Sequence, residues 1–481
     1  MDLIIGITPS TISTLNDSEK MYIYEFENYS KISKSPALFF KSYLKEGENR
    51  EAKIIYFFPI SLLLVTNKEK DKIKLLEDFS NFERVRKELE KYGIDEIFPI
   101  QSIGVYEDIT FLEELKEIEA FIFTKLVKEF ISLKGKVERV YLDISAGHNI
   151  YVVAMLNAAR RFIVFTRFYN LEEGIENKKT KFYLLFSEPI QIKETSGISK
   201  KMKIKVEEVD VLVFFTFPLD KNSWINNIIL NKIKEKMKKD KKEFMMKEKE
   251  IESCKDIVKC GYLLFNAIKK CCPLVCFYVD RYSAEIIEKI LVSYHEILLE
   301  EFKMFKLDKE KRIFDCRINI DGIKLMNTYI SFSILIGIAK IFKNLGIEAK
   351  NEIELNELKK FFEIFRILKL DTNILLLENE LNVILGKVKS FLRKNKIESN
   401  KFYRISEIEE LLYERKKQEE KEISSNIERN FLAHAGLEKN KTKIRVEFEN
   451  ENIRIYIKYD EKEVENLKNF KGEIYSWVTK E

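Results

Sequence analysis

The chain has 481 residues, of which 84 are Lys or Arg and 79 are Asp or Glu, giving a formal net charge of +5. That length exceeds one ordinary hydrophobic core and points to two or three domains. With 45% hydrophobic and 34% charged residues but only 15 Gly and 7 Pro, the chain is globular, which excludes a linker-dominated or disordered protein. The near balance of charge allows a nucleic-acid partner without indicating one, because a local basic patch matters more than the total. The Lys, Glu and Ile bias suits a thermophile or a low-GC genome.

In chain order, the first 220 or so residues alternate strand-like and helix-like segments. The sequence predicts strands at 2–7 (DLIIGI), 53–60 (KIIYFFPI), 137–145 (VERVYLDIS), 163–170 (IVFTRFYN), 182–190 (FYLLFSEPI) and 209–218 (VDVLVFFTFP). Helices are predicted at 67–93, ending at Gly93, at 111–135, ending at Gly135, and at 150–162, where Ala154, Ala158 and Ala159 allow close packing on a sheet. Strand, helix, strand in that order implies a mainly parallel sheet in a Rossmann-like α/β domain.

Beyond residue 220 the periodicity becomes helical, over 221–250, 281–306, 320–345, 353–369, 374–395 and 405–435. Asp371, Thr372 and Asn373 stand where a helix cap belongs. Residues 443–462 alternate around NEN and predict a terminal β-hairpin. No internal repeat is visible. The densest basic run, 231–250, reads as a solvated face. The apolar run 329–342, interrupted by Lys340, reads as a buried core helix rather than a membrane span. The start, MDLIIGITPS, lacks a basic segment followed by an apolar one, so a cytoplasmic protein is expected. Cys254, Cys260, Cys271, Cys272, Cys276 and Cys316 form no C-x-x-C and have no His at zinc spacing; free buried thiols and no metal site are expected.

Two stretches carry chemistry. In YLDISAGHNIYVV (141–153) a loop separates a strand from a helix, and ligands of open α/β sheets bind beyond the carboxyl ends of strands. The helix N-terminus presents unpaired N–H groups to an anion, Gly147 permits close backbone approach, and Ser145, His148 and Asn149 offer hydrogen bonds. ITPSTIST (7–14), FPISLL (58–63) and QSIGVY (101–106) supply further loops that could face the same crevice; ordinary capped turns are the alternative. Neither G-x-G-x-x-G nor G-x-x-x-x-G-K-[ST] occurs, so a dinucleotide cofactor or a P-loop ATPase is poorly supported.

The second stretch is IERNFLAHAG (427–436). On a helix advancing about 100° per residue, Asn430 and His434 share a face, and Arg429 can reach the same neighbourhood. Metal-free RNA cleavage by the 2′-hydroxyl needs proton transfer near neutrality, for which His is suited, and a cation for the crowded phosphate, for which Arg offers a bidentate fork. Asn can orient either. A surface helix carrying one His is the alternative reading.

RNFLAHAG resembles the R-N-x-x-x-H signature of HEPN ribonucleases, and LDISAGHN resembles the second nucleotide-binding motif of CARF domains. In that order the two resemble the CRISPR-associated CARF–HEPN ribonucleases of type III systems. The resemblance implies a CARF sensor at 1–220, a helical connecting region at 221–345 and a HEPN domain at 346–481. It implies catalysis by Arg429, Asn430 and His434, without metal or cofactor, on single-stranded RNA, leaving 2′,3′-cyclic phosphates. It implies a cyclic oligoadenylate activator, preferably of four adenylates, held by Ser145, Gly147, His148 and Asn149, with Thr8, Pro9, Ser10, Ser61 and Gly104 placed there by strand ends. A homodimer or larger assembly is implied, because a ring-shaped ligand suits a twofold sensor. Some CARF domains carry Lys in the second motif; here the loop reads SAGHN, which leaves open whether the sensor also cleaves its activator. A CARF-type transcriptional regulator that binds nucleic acid without cutting it, and a small-molecule enzyme, are the competing readings.

Overall fold

A computed structural model describes residues 1–8, 22–66, 72–77, 80–145, 147–174, 180–188, 201–209, 254–279, 283–301, 306–315, 321–394, 398, 400–413, 427–449 and 452–480. The N-terminal part runs β1 (Asp2–Ile7), β2 (Tyr22–Phe26), β3 (Tyr29–Ser33), α1 (Pro36–Glu46), β4 (Ala52–Pro59), three short helices α2 (Leu62–Thr66), α3 (Lys72–Glu77) and α4 (Ser80–Glu90), β5 (Glu96–Ile100), the hairpin β6 (Ile103–Tyr106) and β7 (Ile109–Leu112), α5 (Leu115–Ser132), β8 (Arg139–Asp143), α6 (Asn149–Tyr169), β9 (Lys181–Ser187) and β10 (Lys201–Glu208).

The main sheet has the order β3-β2-β10-β9-β8-β1-β4-β5. Its centre, β9-β8-β1-β4-β5, is parallel. β10 adds antiparallel to β9, and β2 and β3 extend the edge beyond it. The middle strands are apolar on both faces because both are covered. α1 buries Phe39, Phe40 and Tyr43 on one face, and α5 and α6 cover the other. The chain passes from β1 to β4 on one side and later returns to β8 on the other, so the sheet has its switch point between β1 and β8.

The C-terminal part continues with α7 (Cys254–Lys269), α8 (Ala284–Glu301), β11 (Lys306–Asp308), β12 (Ile313–Asp315), α9 (Gly322–Asn344), β13 (Ile353–Glu354), α10 (Lys360–Ile367), α11 (Asp371–Arg393), β14 (Phe402–Arg404), α12 (Ile405–Tyr413), α13 (Ile427–Ala433), the hairpin β15 (Thr442–Glu449) and β16 (Asn452–Tyr459), α14 (Glu461–Lys468) and α15 (Gly472–Thr479). The hairpin stands as expected, in a sheet of order β13-β16-β15-β14, but two helices follow it. A third sheet, β11-β12-β7-β6, ties the helical part to the N-terminal hairpin through parallel pairing of β12 with β7. The apolar run expected to be a core helix is the middle of α9, the one described helix long and apolar enough to cross a membrane; 89% of its most apolar window is buried inside the protein. α9 lies against α6, α5, α8 and α7, and Gly337 sits so close to the Phe168 carbonyl of α6 that a β-carbon has no room.

Several expectations need correction. Residues 163–170 are not a strand but the last turns of α6; Ile163, Val164, Phe165 and Phe168 are apolar because α6 is buried between sheet and α9, and a short apolar run does not distinguish the two structures. The helix predicted from 111 begins at Leu115, since Ile109–Leu112 pairs as β7. The 67–93 segment is described as separate helices α3 and α4, and the 353–369 segment opens with β13 and a 3-10 turn at Leu355–Lys359. Asp371–Asn373 do not cap α11: the cap position is Leu370, and the Asn373 amide instead donates to the carbonyls of Ile268 and Lys269. The predicted strand at 209–218, apart from Val209, and the basic helix at 221–250 lie outside the described residues. Cys260, Cys271, Cys272 and Cys276 are buried thiols outside any disulfide, as expected.

One buried group makes the α8–α9 contact sensitive to acid. His295 of α8 is 5% exposed, its Nδ1 lies 2.7 Å from the Tyr329 hydroxyl of α9, and its Nε2 has no hydrogen-bond partner among the described residues. Burial, and then Lys125 and Lys128, push the imidazole down to about 3. Below its ordinary value of 6.5 the unfolded chain takes up a proton that the folded chain refuses, so stability falls as pH drops from there towards 3. Urea midpoints at pH 7 and pH 5 should show a larger acid loss for the parent than for His295→Gln, by up to about 1 kcal/mol per pH unit. Equal losses would contradict this reading of His295.

Candidate functional site

The predicted crevice and the predicted trio sit in different parts of the molecule. At the carboxyl end of the sheet, the ends of the neighbouring parallel strands β8, β1 and β4 lie side by side at the switch point, where open α/β sheets bind ligands. Gly147, at φ +109°, lies across the end of β1; a β-carbon there would stand 2.9 Å from the Ile7 side chain, so the position needs glycine for both conformation and space. Ser145 is tied down: its N–H donates to Asp143 (3.0 Å) and its hydroxyl accepts from the Ser187 N–H (3.2 Å). Asp143 is itself buried, and burial pushes its carboxyl up despite the Ser145 and Tyr56 hydrogen bonds. His148 and Asn149 are exposed at the start of α6, and His148 caps the helix without a side-chain hydrogen bond. The His148 ring meets the Tyr151 ring edge-on at 6.2 Å, and both residues stand at the positive end of the helix dipole.

Thr8, at the end of β1, is 1% exposed and its hydroxyl has no hydrogen-bond partner among the described residues. Ser61 is fully buried and held by Ser102: the Ser102 hydroxyl accepts from the Ser61 N–H and donates to the Ser61 hydroxyl, both at 2.9 Å. Gly104 is a correction. It belongs not to a loop but to β6, opposite Phe111, because residues 103–106 pair with β7. Pro9 and Ser10 lie outside the described residues. Two further residues at this end of the sheet were not legible in the sequence, Ser102 and Tyr151, and the Tyr151 hydroxyl accepts from the Ile103 N–H at 3.3 Å and lies 3.4 Å from the Tyr106 hydroxyl. Their roles depend on neighbours far along the chain, so no local motif marks them.

The trio is presented by α13. Phe431 is fully buried against Tyr459 and Trp477, which fixes the face that Arg429 and Asn430 expose. The helix ends at Ala433, and the chain turns through left-handed Ala435 and Gly436. The Gly436 N–H closes onto the Phe431 carbonyl at 2.8 Å, and the Gly436 carbonyl accepts from the Tyr459 hydroxyl at 2.7 Å. His434 is thus held at the turn with its side chain 52% exposed, and its Nδ1 lies 3.0 Å from the Glu380 carboxylate on α11.

Asn430 and His434 line one open cleft of about 220 Å³ between α11, α12 and α13, with Glu380, Lys387, Glu409 and Lys439. Arg429 is exposed one residue before Asn430, outside that lining. Burial pushes the Glu409 carboxyl up, but Lys387 (2.6 Å) and Lys439 (3.4 Å) outweigh it and hold the group below the ordinary carboxylate range. Glu380 escaped the sequence analysis because it lies 54 residues before the His. Among the described residues, no group of three or more His, Cys, Asp or Glu converges as a metal site. The arrangement offers an oriented imidazole, an amide and an exposed guanidinium, which are the groups for proton transfer beside an anion.

A family model described as CRISPR system endoribonuclease Csx1, CARF domain, matches residues 11–189. A second, CRISPR system endoribonuclease Csx1, HEPN domain, matches residues 370–469. No curated protein matches the chain in a sequence search. The two family models share one family and between them cover more than half of the chain, the first on the parallel sheet and the second on the helices and hairpin around His434. The chain belongs to the CRISPR-associated CARF–HEPN ribonucleases.

Proposed function

We propose that the protein is a metal-independent endoribonuclease that cuts single-stranded RNA when a cyclic oligoadenylate, preferably of four adenylates, occupies the crevice between β1 and β8. Residues 1–220 then sense, 221–345 connect and 346–481 cut. The observation that carries the reading is the cleft in which Asn430 and the carboxylate-held His434 stand together. In this reading the 2′-oxygen bonds to phosphorus, its proton passes to His434, and the bond from phosphorus to the 5′-oxygen breaks. The 5′-oxygen takes a proton from the facing imidazolium of a second copy. Arg429 holds the phosphate and Asn430 orients it.

The second copy is part of the proposal. Val383 of α11 lines the cleft and is 46% exposed, Leu375 of the same helix is 61% exposed, and Ile150 and Val153 of α6, just after the sensor loop, are 40% and 45% exposed. Apolar side chains left open at both sites suit a twofold dimer that joins sensor to sensor and cleft to cleft. The ring contacts assigned to Ser145, Gly147, His148 and Asn149, with Thr8 and Ser61, rest on their shared place at the strand ends.

The RNA fragments should carry 2′,3′-cyclic phosphate and 5′-hydroxyl ends, read by end-group analysis. His434→Ala should lower cleavage about 10²–10⁴-fold while melting and activator binding stay parental. Near-normal cleavage by the folded variant would remove His434 from the mechanism.

Damage to the sensor should spare the chemistry. An activator shifts a conformational equilibrium only by its differential affinity for the active state. The double variant His148→Ala, Asn149→Ala should keep its basal cleavage but fail to respond to cyclic tetra-adenylate at concentrations that saturate the parent. Calorimetry and cleavage titrations check both parts, and unchanged binding with unchanged stimulation would move the sensor elsewhere.

A further inference from the structure

We infer that Glu380 is a positioning residue that fixes His434 in the tautomer protonated at Nδ1, leaving Nε2 as the atom that takes the proton from the RNA 2′-hydroxyl. This rests on the catalytic reading of His434 above and assigns the reacting nitrogen within it. An ionised carboxylate only accepts hydrogen bonds, so its contact at 3.0 Å with Nδ1 requires the proton there. The second nitrogen must then carry the lone pair and face away from α11.

Three carboxylates line the cleft, and only one is available for this task. Glu409 is held between Lys387 and Lys439. Glu438 accepts from the backbone N–H groups of Asn440 and Lys441 at 2.8 and 3.1 Å. Glu380 has His434 as its partner, and its side chain is 15% exposed against 52% for the imidazole. The carboxylate is thus sheltered while the ring it orients stays open to substrate. Its mount is rigid: Leu377, Leu381 and Ile384 bury the adjoining face of the 23-residue helix α11. The imidazole is equally fixed from the other side by buried Phe431 and the turn at Gly436. Two independently anchored elements therefore hold a pair that neither sequence segment specifies alone.

The test uses the full chain with Glu380→Ala, Glu380→Gln and Glu380→Asp, each checked for an unchanged melting midpoint. Steady-state kinetics on single-stranded RNA should give kcat lowered about 10²–10⁴-fold in the Ala variant, with KM within about twofold of the parent. The Asp variant should recover part of the loss, and the isosteric Gln variant, which keeps the shape without the charge, should fall between. Nitrogen-15 spectra of labelled histidine, with His434→Ala identifying the signal, should show the neutral His434 ring protonated at Nδ1 in the parent and shifted towards Nε2 protonation in Glu380→Ala. Parental kcat in a folded Ala variant, or an unchanged tautomer, would overturn the inference. Cleavage by His434→Ala at the parental rate would instead defeat the catalytic reading itself, and the nitrogen-15 signal would still report whether Glu380 sets the tautomer.

Discussion

The buried packing of α9 against α6 is the constraint on which the rest of the molecule depends. α9 is apolar on nearly every side, and Gly337 lets its backbone meet that of Phe168. α6 is also the helix whose first residues, His148 and Asn149, open onto the sheet crevice. One continuous core therefore runs from the parallel sheet through α6 and α9 to α11, α13 and the terminal hairpin. Close-packed interiors transmit strain rather than absorb it, so a ligand that moves the start of α6 has a physical route to the cleft.

The two candidate sites are built differently. The crevice is assembled from strand ends, and its groups are either committed, as Ser145 and Ser61 are, or left open, as His148 and Asn149 are. The cleft is assembled from the helices α11, α12 and α13, and α13 depends on tertiary anchoring by Phe431, Tyr459 and Trp477. A seven-residue helix such as α13 is too short to persist without such anchoring. The geometry of the cleft is thus a property of the whole C-terminal fold.

The sequence disclosed the parts whose signals are local. Strands β1, β4, β8 and β9 were legible as apolar runs, the last hairpin as an alternation, and His434 beside Asn430 as a helical spacing. Residues 163–169 misled because burial on all sides erases the polar face that marks a helix. Residues 111–112 were absorbed into the predicted helix although they belong to β7, which pairs with β6 just before it and with β12 some 200 residues on, and so short a strand carries little alternation of its own. Glu380 and Ser102 were illegible because each acts on a residue distant in sequence.

The most direct measurement is the cleavage of labelled single-stranded RNA in EDTA, with and without cyclic tetra-adenylate. The account predicts cleavage that persists in EDTA and accelerates when the cyclic activator is added. Cleavage abolished by chelation and restored by magnesium or manganese, or cleavage indifferent to every cyclic oligoadenylate offered, would contradict it.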